Sequence, residues 1–187
     1  ARASLAEDRQ LEEGQVSLYI GIPFCPTRCA YCSFVSADVG RALKLVDPYV
    51  EALLEEVRRT GQVLEQAGLR VRTLYVGGGT PTTLSASQLD RLLAAAEAHL
   101  PLAGCREMTV EAGRPDTITR EKLEVLREHG IERISINPQT MNQKTLEIIG
   151  RRHTVDQVKE AFTLARSMGF AHINMDLIVG LPGESYD

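Results

Sequence analysis

Five short segments of alternating apolar and polar residues, separated by amphipathic helical stretches, constrain this chain more than any other feature of its sequence. The first is Val16 to Ile22, with Val16, Leu18, Ile20 and Ile22 on one parity and Ser17, Tyr19 and Gly21 on the other. The others are Thr73 to Val76, a segment starting at Glu107, Arg133 to Asn137, and Ile173 to Val179. Asp47 and Pro48 predict a first helix over 47–68, an N-cap followed by proline at the first helical position, stopping at Gly68. Capping boxes at Ser85/Gln88 and Thr154/Gln157 open two more helices, the first reaching Leu100 and the second ending at Gly169; another covers about Thr119 to His129. Connections this short predict an α/β fold of parallel strands joined by right-handed crossovers.

The strands narrow the architecture further. A doubly wound sheet buries both faces, and its strands read as near-continuous apolar runs. Here one parity is apolar and the other carries Tyr19, Thr109, Glu111, Ser135, Asn137, Asn174 and Asp176. That predicts a partial (β/α) barrel whose lumen holds a polar ligand, with a plain α/β sheet carrying a few satisfied polar positions as the alternative. A complete eight-stranded barrel needs ~250 residues, and this chain has 187. The sequence therefore reads as truncated after about five βα units, with residues 1–15 a linker remnant and 16–187 one core domain incomplete at its C-terminal end.

Charge and composition exclude several classes. Twenty-one Lys and Arg against 25 Asp and Glu leave a net charge of −4, and with no basic run and 5% aromatics the chain is poorly equipped to neutralise phosphates or stack bases. Nucleic acid is not an expected partner. No apolar stretch approaches the ~18 residues of a membrane span, and the first residues lack the apolar core of a secretory signal. A cytoplasmic location without a membrane span is expected. Three of the four cysteines, Cys25, Cys29 and Cys32, form a CxxxCxxC immediately after the first strand. In a reducing compartment such thiols indicate metal or redox chemistry. Soft thiolates select zinc, cuprous copper or iron–sulfur clusters. A structural zinc site usually needs four protein ligands, and Cys105, just ahead of the third strand, is expected at the opposite end of the sheet. Three thiolates on a cubane leave one iron free to chelate a small molecule.

CxxxCxxC after the first strand of a partial barrel resembles the radical S-adenosylmethionine (SAM) superfamily. Tyr19-Ile-Gly-Ile-Pro-Phe-Cys25, Tyr75-Val-Gly-Gly-Gly-Thr-Pro-Thr82 and Asp176-Leu-Ile-Val-Gly-Leu-Pro182 resemble the branch of oxygen-independent coproporphyrinogen III oxidases. EAGRPDTIT at 111–119 and RISINPQTMNQKTLEIIGRRHT at 133–154 are similar to its HemZ-type dehydrogenases. The resemblance runs from about Tyr19 to Tyr186.

It implies a [4Fe–4S] cluster on Cys25, Cys29 and Cys32, and SAM held by Gly78, Gly79, Thr80, Glu111, Gln139, Arg151 and Asp176, with Ile178 against adenine. Tyr19 is implied beside cluster and sulfonium, as a catalytic residue. The implied reaction is oxidative decarboxylation of coproporphyrinogen III to protoporphyrinogen IX in haem biosynthesis, with a porphyrinogen substrate and a reducing donor of flavodoxin or ferredoxin type. Arg28 and Arg114 are candidates for the substrate carboxylates. At two positions the chain departs from the better known oxidases: Gly21 stands where a histidine is common, and Phe34 where a further cysteine is. Relatives with a Tyr-Cys-x-Phe ending include haem chaperones of the same fold, which are the implied alternative; a structural zinc domain without chemistry is the other. His99, His129, His153 and His172 show no ligand spacing and are expected on helix faces or ends.

Overall fold

The computed structural model describes residues 13–34 and 37–185, so most of the expected 1–15 linker lies outside the described residues. β1 (Gln15–Ile22), β4 (Arg70–Gly78), β5 (Glu107–Gly113), β6 (Arg133–Ile136) and β7 (His172–Asn174) form one sheet in that order, and every pairing is parallel. Between them lie α1 (Val39–Gln66), α2 (Ala86–His99), α3 (Arg120–Glu128), and the pair α4 (Gln143–Ile148) and α5 (Val155–Ser167). Two two-residue strands, β2 (Phe24–Cys25) and β3 (Ala37–Asp38), pair beside the main sheet.

The apolar parity lies under the helices. Ile20, Ile22, Leu74, Val76, Val110, Ile134 and Ile136 join Val50, Val57, Leu89, Leu93, Leu123, Leu126 and Ala165 in one continuous core. The register sets Gly21, Gly77, Glu111, Ser135 and Asn174 on one level of the opposite face. That face is the polar one expected from the sequence.

Three elements differ from expectation. α1 begins at Val39, capped by Asp38, whose side chain accepts from the Gly40 N–H, and Pro48 lies inside it. The apolar stripe runs past the proline through buried Ala42 and Val46, and packing of that stripe outweighs the lost hydrogen bond. Asp47 instead accepts from Gln88 Nε2 at 2.7 Å, tying α1 to the capping box of α2. β4 starts at Arg70 rather than Thr73, because Val16 pairs with Val71 but Ser17 with Thr73. Arg72 is the extra residue of a bulge, which interrupts the alternation while returning Leu74 to the core. The fifth strand pairs only as far as Asn174 instead of reaching Val179, and Leu177 and Val179 are exposed. Its neighbour β6 stops at Ile136, ahead of Pro138, which has no N–H to donate, and Gln139 at φ 67°. Only the single bridge Gln139–Leu177 continues the ladder.

Candidate functional site

Cys25, Cys29 and Cys32 sit on a loop leaving the C-terminal end of β1. Its base is closed by the β2–β3 pair and by the Ala37 N–H donating to Pro23 O at 2.7 Å. Its back rests on the turn after α4, where the Ala30 N–H donates to Ile149 O at 2.9 Å. All three thiols are unpaired, half-buried, and line one cavity of about 230 Å³.

The opposite wall is bare backbone. Gly79 N–H donates to Ile22 O and Thr80 N–H to Phe24 O, each at 2.8 Å, so the glycine run lies directly against the cysteine strand. A side chain at Gly79 would place Cβ 2.9 Å from Cys25 Sγ and 2.7 Å from Phe24 O. Gly78 has φ +111°, and a Cβ there would come 2.9 Å from Ile22 O, a conformation and an approach open only to glycine. Thr80 Oγ1 points at Cys25 Sγ, 3.6 Å away.

Polar groups from β5, from the segments following β6 and β7 and from the turn after α4 complete the cavity. Glu111 accepts from the Gly78 N–H at 3.3 Å and from the Tyr75 hydroxyl. Burial holds its carboxyl above the usual range, and nearby Asp176 adds to that, while the two hydrogen bonds oppose it. The Tyr75 hydroxyl is pushed up to about 12, by burial first and then by the Glu111 charge. Asp176 accepts from Asn174 Nδ2 at 2.8 Å. Gln139 exchanges backbone hydrogen bonds with Asp176 and Ile178, its left-handed backbone being uncommon for a non-glycine residue. Arg151 donates through NH1 to Asn137 O at 2.5 Å and through Nε to the Tyr31 hydroxyl at 3.2 Å. Tyr31, whose hydroxyl also bonds Cys29, is pushed up to about 12, chiefly by burial. A carboxylate costly to bury alone and a guanidinium, both beside soft thiols, suit a zwitterionic ligand held next to a thiolate-bound group.

The cavity thus gathers the three cysteines with Gly78, Gly79, Thr80, Glu111, Gln139, Arg151 and Asp176. Tyr19 and Ile178 stand off its walls. Tyr19 is 62% exposed, stacks on Tyr75 at 5.8 Å, and lines an adjoining groove with Phe34 and Tyr49 that shares the Gly78–Gly79 backbone. Burial, followed by the Glu111 charge, raises its hydroxyl. Ile178 packs against Leu146, Ile149 and Leu181. Cys105 lies among Arg106, Glu107 and His172 at the far end of the strands, its thiol donating to Glu107 O.

One expectation needs correction. Arg114 is 2% exposed and engaged by Asp116 and Thr27, so it does not present its charge at the rim; Arg28 is exposed. His153, just ahead of α5, is fully buried, 3.9 Å from Asp116, and burial together with neighbouring Arg151 pushes it down to about 4. Tyr31, Thr27 and Tyr75 are contributors that sequence reasoning assigned no part. The places of Thr27 and Tyr31 inside the cysteine motif could have marked two of them.

The donor set fits an iron–sulfur cluster chelating a small ligand: three soft thiols, a wall that any Cβ would fill, and a carboxylate and guanidinium on the same cavity. Comparison with known proteins agrees. Residues 19–187 match the Radical SAM superfamily. The chain is 48% identical over 171 residues to the oxygen-independent coproporphyrinogen-III oxidase-like protein HemZ of Bacillus subtilis, covering 91% of this chain and 34% of that protein. It is 42% identical over 171 residues to the heme chaperone HemW of Lactococcus lactis, covering 91% and 43%. The Escherichia coli coproporphyrinogen III oxidase HemN, a radical SAM enzyme, has TM-score 0.80 and 30% identity, with 99% of this chain and 42% of that one covered. The chain spans less than half the length of each. It belongs to the radical SAM superfamily, whose cofactors are a [4Fe–4S] cluster and SAM.

Proposed function

We propose that this chain is the cofactor-binding core of a SAM-dependent coproporphyrinogen dehydrogenase, which oxidatively decarboxylates coproporphyrinogen III without oxygen. The observation carrying this reading is the shared cavity: the three thiols, the glycine wall and the Glu111, Arg151 and Asp176 side chains line one space at the C-terminal ends of parallel strands. The 48% identity to the HemZ protein supports the substrate.

Cys25, Cys29 and Cys32 would ligate the cluster, leaving one iron without a protein ligand. When bound, the two cofactors supply an electron and a 5′-deoxyadenosyl radical able to remove hydrogen from a substrate propionate. The chain's own residues bind and orient. Gly78 and Gly79 admit the methionine part of SAM to bare backbone, and Thr80 adds a hydroxyl beside Cys25. Glu111, held as a hydrogen-bond acceptor by Gly78 and Tyr75, faces the SAM amino group. Arg151, oriented by Asn137 and Tyr31, pairs with its carboxylate. Asp176 and Gln139 receive the ribose, and Ile178 borders the adenine from the Leu146–Leu181 cluster. Tyr19 lies in the groove next to the glycine wall, where a flat tetrapyrrole would approach. Partners on this reading are the porphyrinogen and a flavodoxin- or ferredoxin-type reductant, in the cytoplasm. Among the described residues no helix is long and apolar enough to cross a membrane.

A second reading, a haem chaperone of the same fold, is favoured by the HemW relatives, 42% and 41% identical. The full-length protein, reconstituted anaerobically and reduced with dithionite, decides between them. Conversion of coproporphyrinogen III in a SAM-dependent assay supports the dehydrogenase. Tight haem binding without product supports the chaperone. A protein that loads no cluster, or a cluster whose spectrum ignores SAM, refutes both.

A further inference from the structure

We infer that Arg114 is a positioning residue for the cysteine loop. Anchored by Asp116, it grips Thr27, and through Thr27 it joins the loop to the turn at 149–151. The role deepens the proposed function and rests on its reading of the loop as the cluster site.

The backbone turns Arg114 inward. β5 is regular to Glu111, after which Glu111 pairs with Ser135 but Gly113 with Ile136, so one residue is skipped; Gly113 has φ +59°. Such a bulge re-aims the side chain that follows. One edge of the Arg114 guanidinium meets Asp116 bidentately, Nε to Oδ1 and NH2 to Oδ2, both at 3.0 Å. Its NH1 crosses to a residue 87 positions away, donating to Thr27 Oγ1 at 2.7 Å and to Thr27 O at 3.3 Å. These four bonds occupy most of a guanidinium's five N–H donors, leaving little for a substrate carboxylate. Thr27 Oγ1 accepts from Arg114 and donates its own O–H to Gly150 O at 3.1 Å. Gly150 has φ +77°, a conformation strained for other residues, and a Cβ there would lie a tight 3.2 Å from Arg28 O. His153, 0% exposed, closes the far side of Asp116.

The loop is thereby tied at Thr27 and Ala30, between and beside the cysteines, to parts of the fold far away in sequence. The thiols keep their spacing in the polypeptide itself, before a cofactor is present. Burial makes the pairing consequential: a buried guanidinium is costly unless its donors are satisfied, so the lowest-energy place for Thr27 is against Arg114.

The test uses Thr27→Val, which preserves shape and leaves the Arg114–Asp116 pair intact, alongside Thr27→Ser, which keeps the hydroxyl. In the metal-free, full-length protein, hydrogen exchange at the Ala30 amide should accelerate by roughly tenfold or more in Thr27→Val, the loss expected for a charge-assisted hydrogen bond. Exchange at Val110 and Ile134 should stay as in wild type, and Thr27→Ser should restore Ala30 protection. After reconstitution, Thr27→Val should release iron to a chelator faster than Thr27→Ser. Wild-type exchange at Ala30 in Thr27→Val, or an equal acceleration at Val110 and Ile134, overturns the inference. A wild-type protein that never assembles a cluster refutes the proposed function instead, and the metal-free exchange result still decides the brace.

Discussion

Replacing Gly79 by alanine tests the steric argument for the site directly. The added Cβ would lie 2.7 Å from Phe24 O, 2.9 Å from Cys25 Sγ and 3.0 Å from Phe24 C. Ordinary contacts sit near ~3.5 Å, so the two segments must part by roughly 0.8 Å at the closest point. They cannot part freely, because Thr80 N–H to Phe24 O at 2.8 Å and Ala37 N–H to Pro23 O at 2.7 Å hold the cysteine strand from both sides. Overpacking of this kind costs ~1–3 kcal/mol, and for a chain of this size each kcal/mol lowers Tm by ~2–4 °C. Melts of the metal-free protein should therefore drop by ~2–12 °C, and iron bound per chain after anaerobic reconstitution should fall well below wild type, since the displaced atom is the sulfur of a proposed cluster ligand. Gly21→Ala is the control, because its Cβ would meet only a Tyr19 ring carbon at an ordinary 3.5 Å; its stability should stay within ~0.5 kcal/mol of wild type. If Gly79→Ala melts and loads iron as Gly21→Ala does, the glycine wall is not the close approach argued for.

Three further outcomes are expected. Cys29→Ala should abolish cluster absorbance, whereas Cys105→Ala at the far end of the strands should leave it intact; equal losses of iron would contradict the ligand assignment. Glu111→Gln should stabilise the ligand-free fold at neutral pH by roughly 0.5–1 kcal/mol yet weaken SAM binding by about tenfold or more. The sign follows from its raised carboxyl: a group whose folded pKa is raised favours the fold below its unfolded pKa, and that advantage is lost as pH rises through the folded value. Denaturant titration and calorimetry of SAM binding check both halves, and a destabilised variant with unchanged affinity would contradict them. His129 is opposed by burial, but its hydrogen bonds to Asp90 and Glu97, each at 2.9 Å, outweigh that and raise its pKa. Its contribution, at most ~1 kcal/mol for partly exposed partners, is present below pH ~6.5 and fades as pH rises through the elevated value. His129→Gln should flatten that fall in urea midpoints, and an unchanged pH profile would refute the link between α2 and α3.

Much of the fold was readable from local patterns. The caps at Ser85 and Thr154 are where the sequence places them, because a cap is a contact within four residues. The start of α1 was not readable: Asp47-Pro48 is a sound local start signal, and only the packing of Ala42 and Val46 carries the helix through it. The bulge at Arg72 hid the first residues of β4 by interrupting the alternation that marks a strand. Arg114 misled for a related reason. A charged residue on a loop is ordinarily solvated, and nothing local reveals that the bulge before it turns the guanidinium toward Thr27.

What the sequence by itself determined is therefore chemical and short-range: three thiols on one loop, a glycine run after a strand, one polar parity along five strands. These features are complete within a few residues, so tertiary contacts need not be known to read them. Only the tertiary structure decided which polar residues share a wall with the thiols and which became supports. The ends of the parallel strands bring Glu111 and Asp176, and the turn after α4 brings Arg151, to one cavity, with Tyr19 in the groove beside it. Burial, which depends on everything packed around a group, turned Arg114 from an expected rim residue into an interior one.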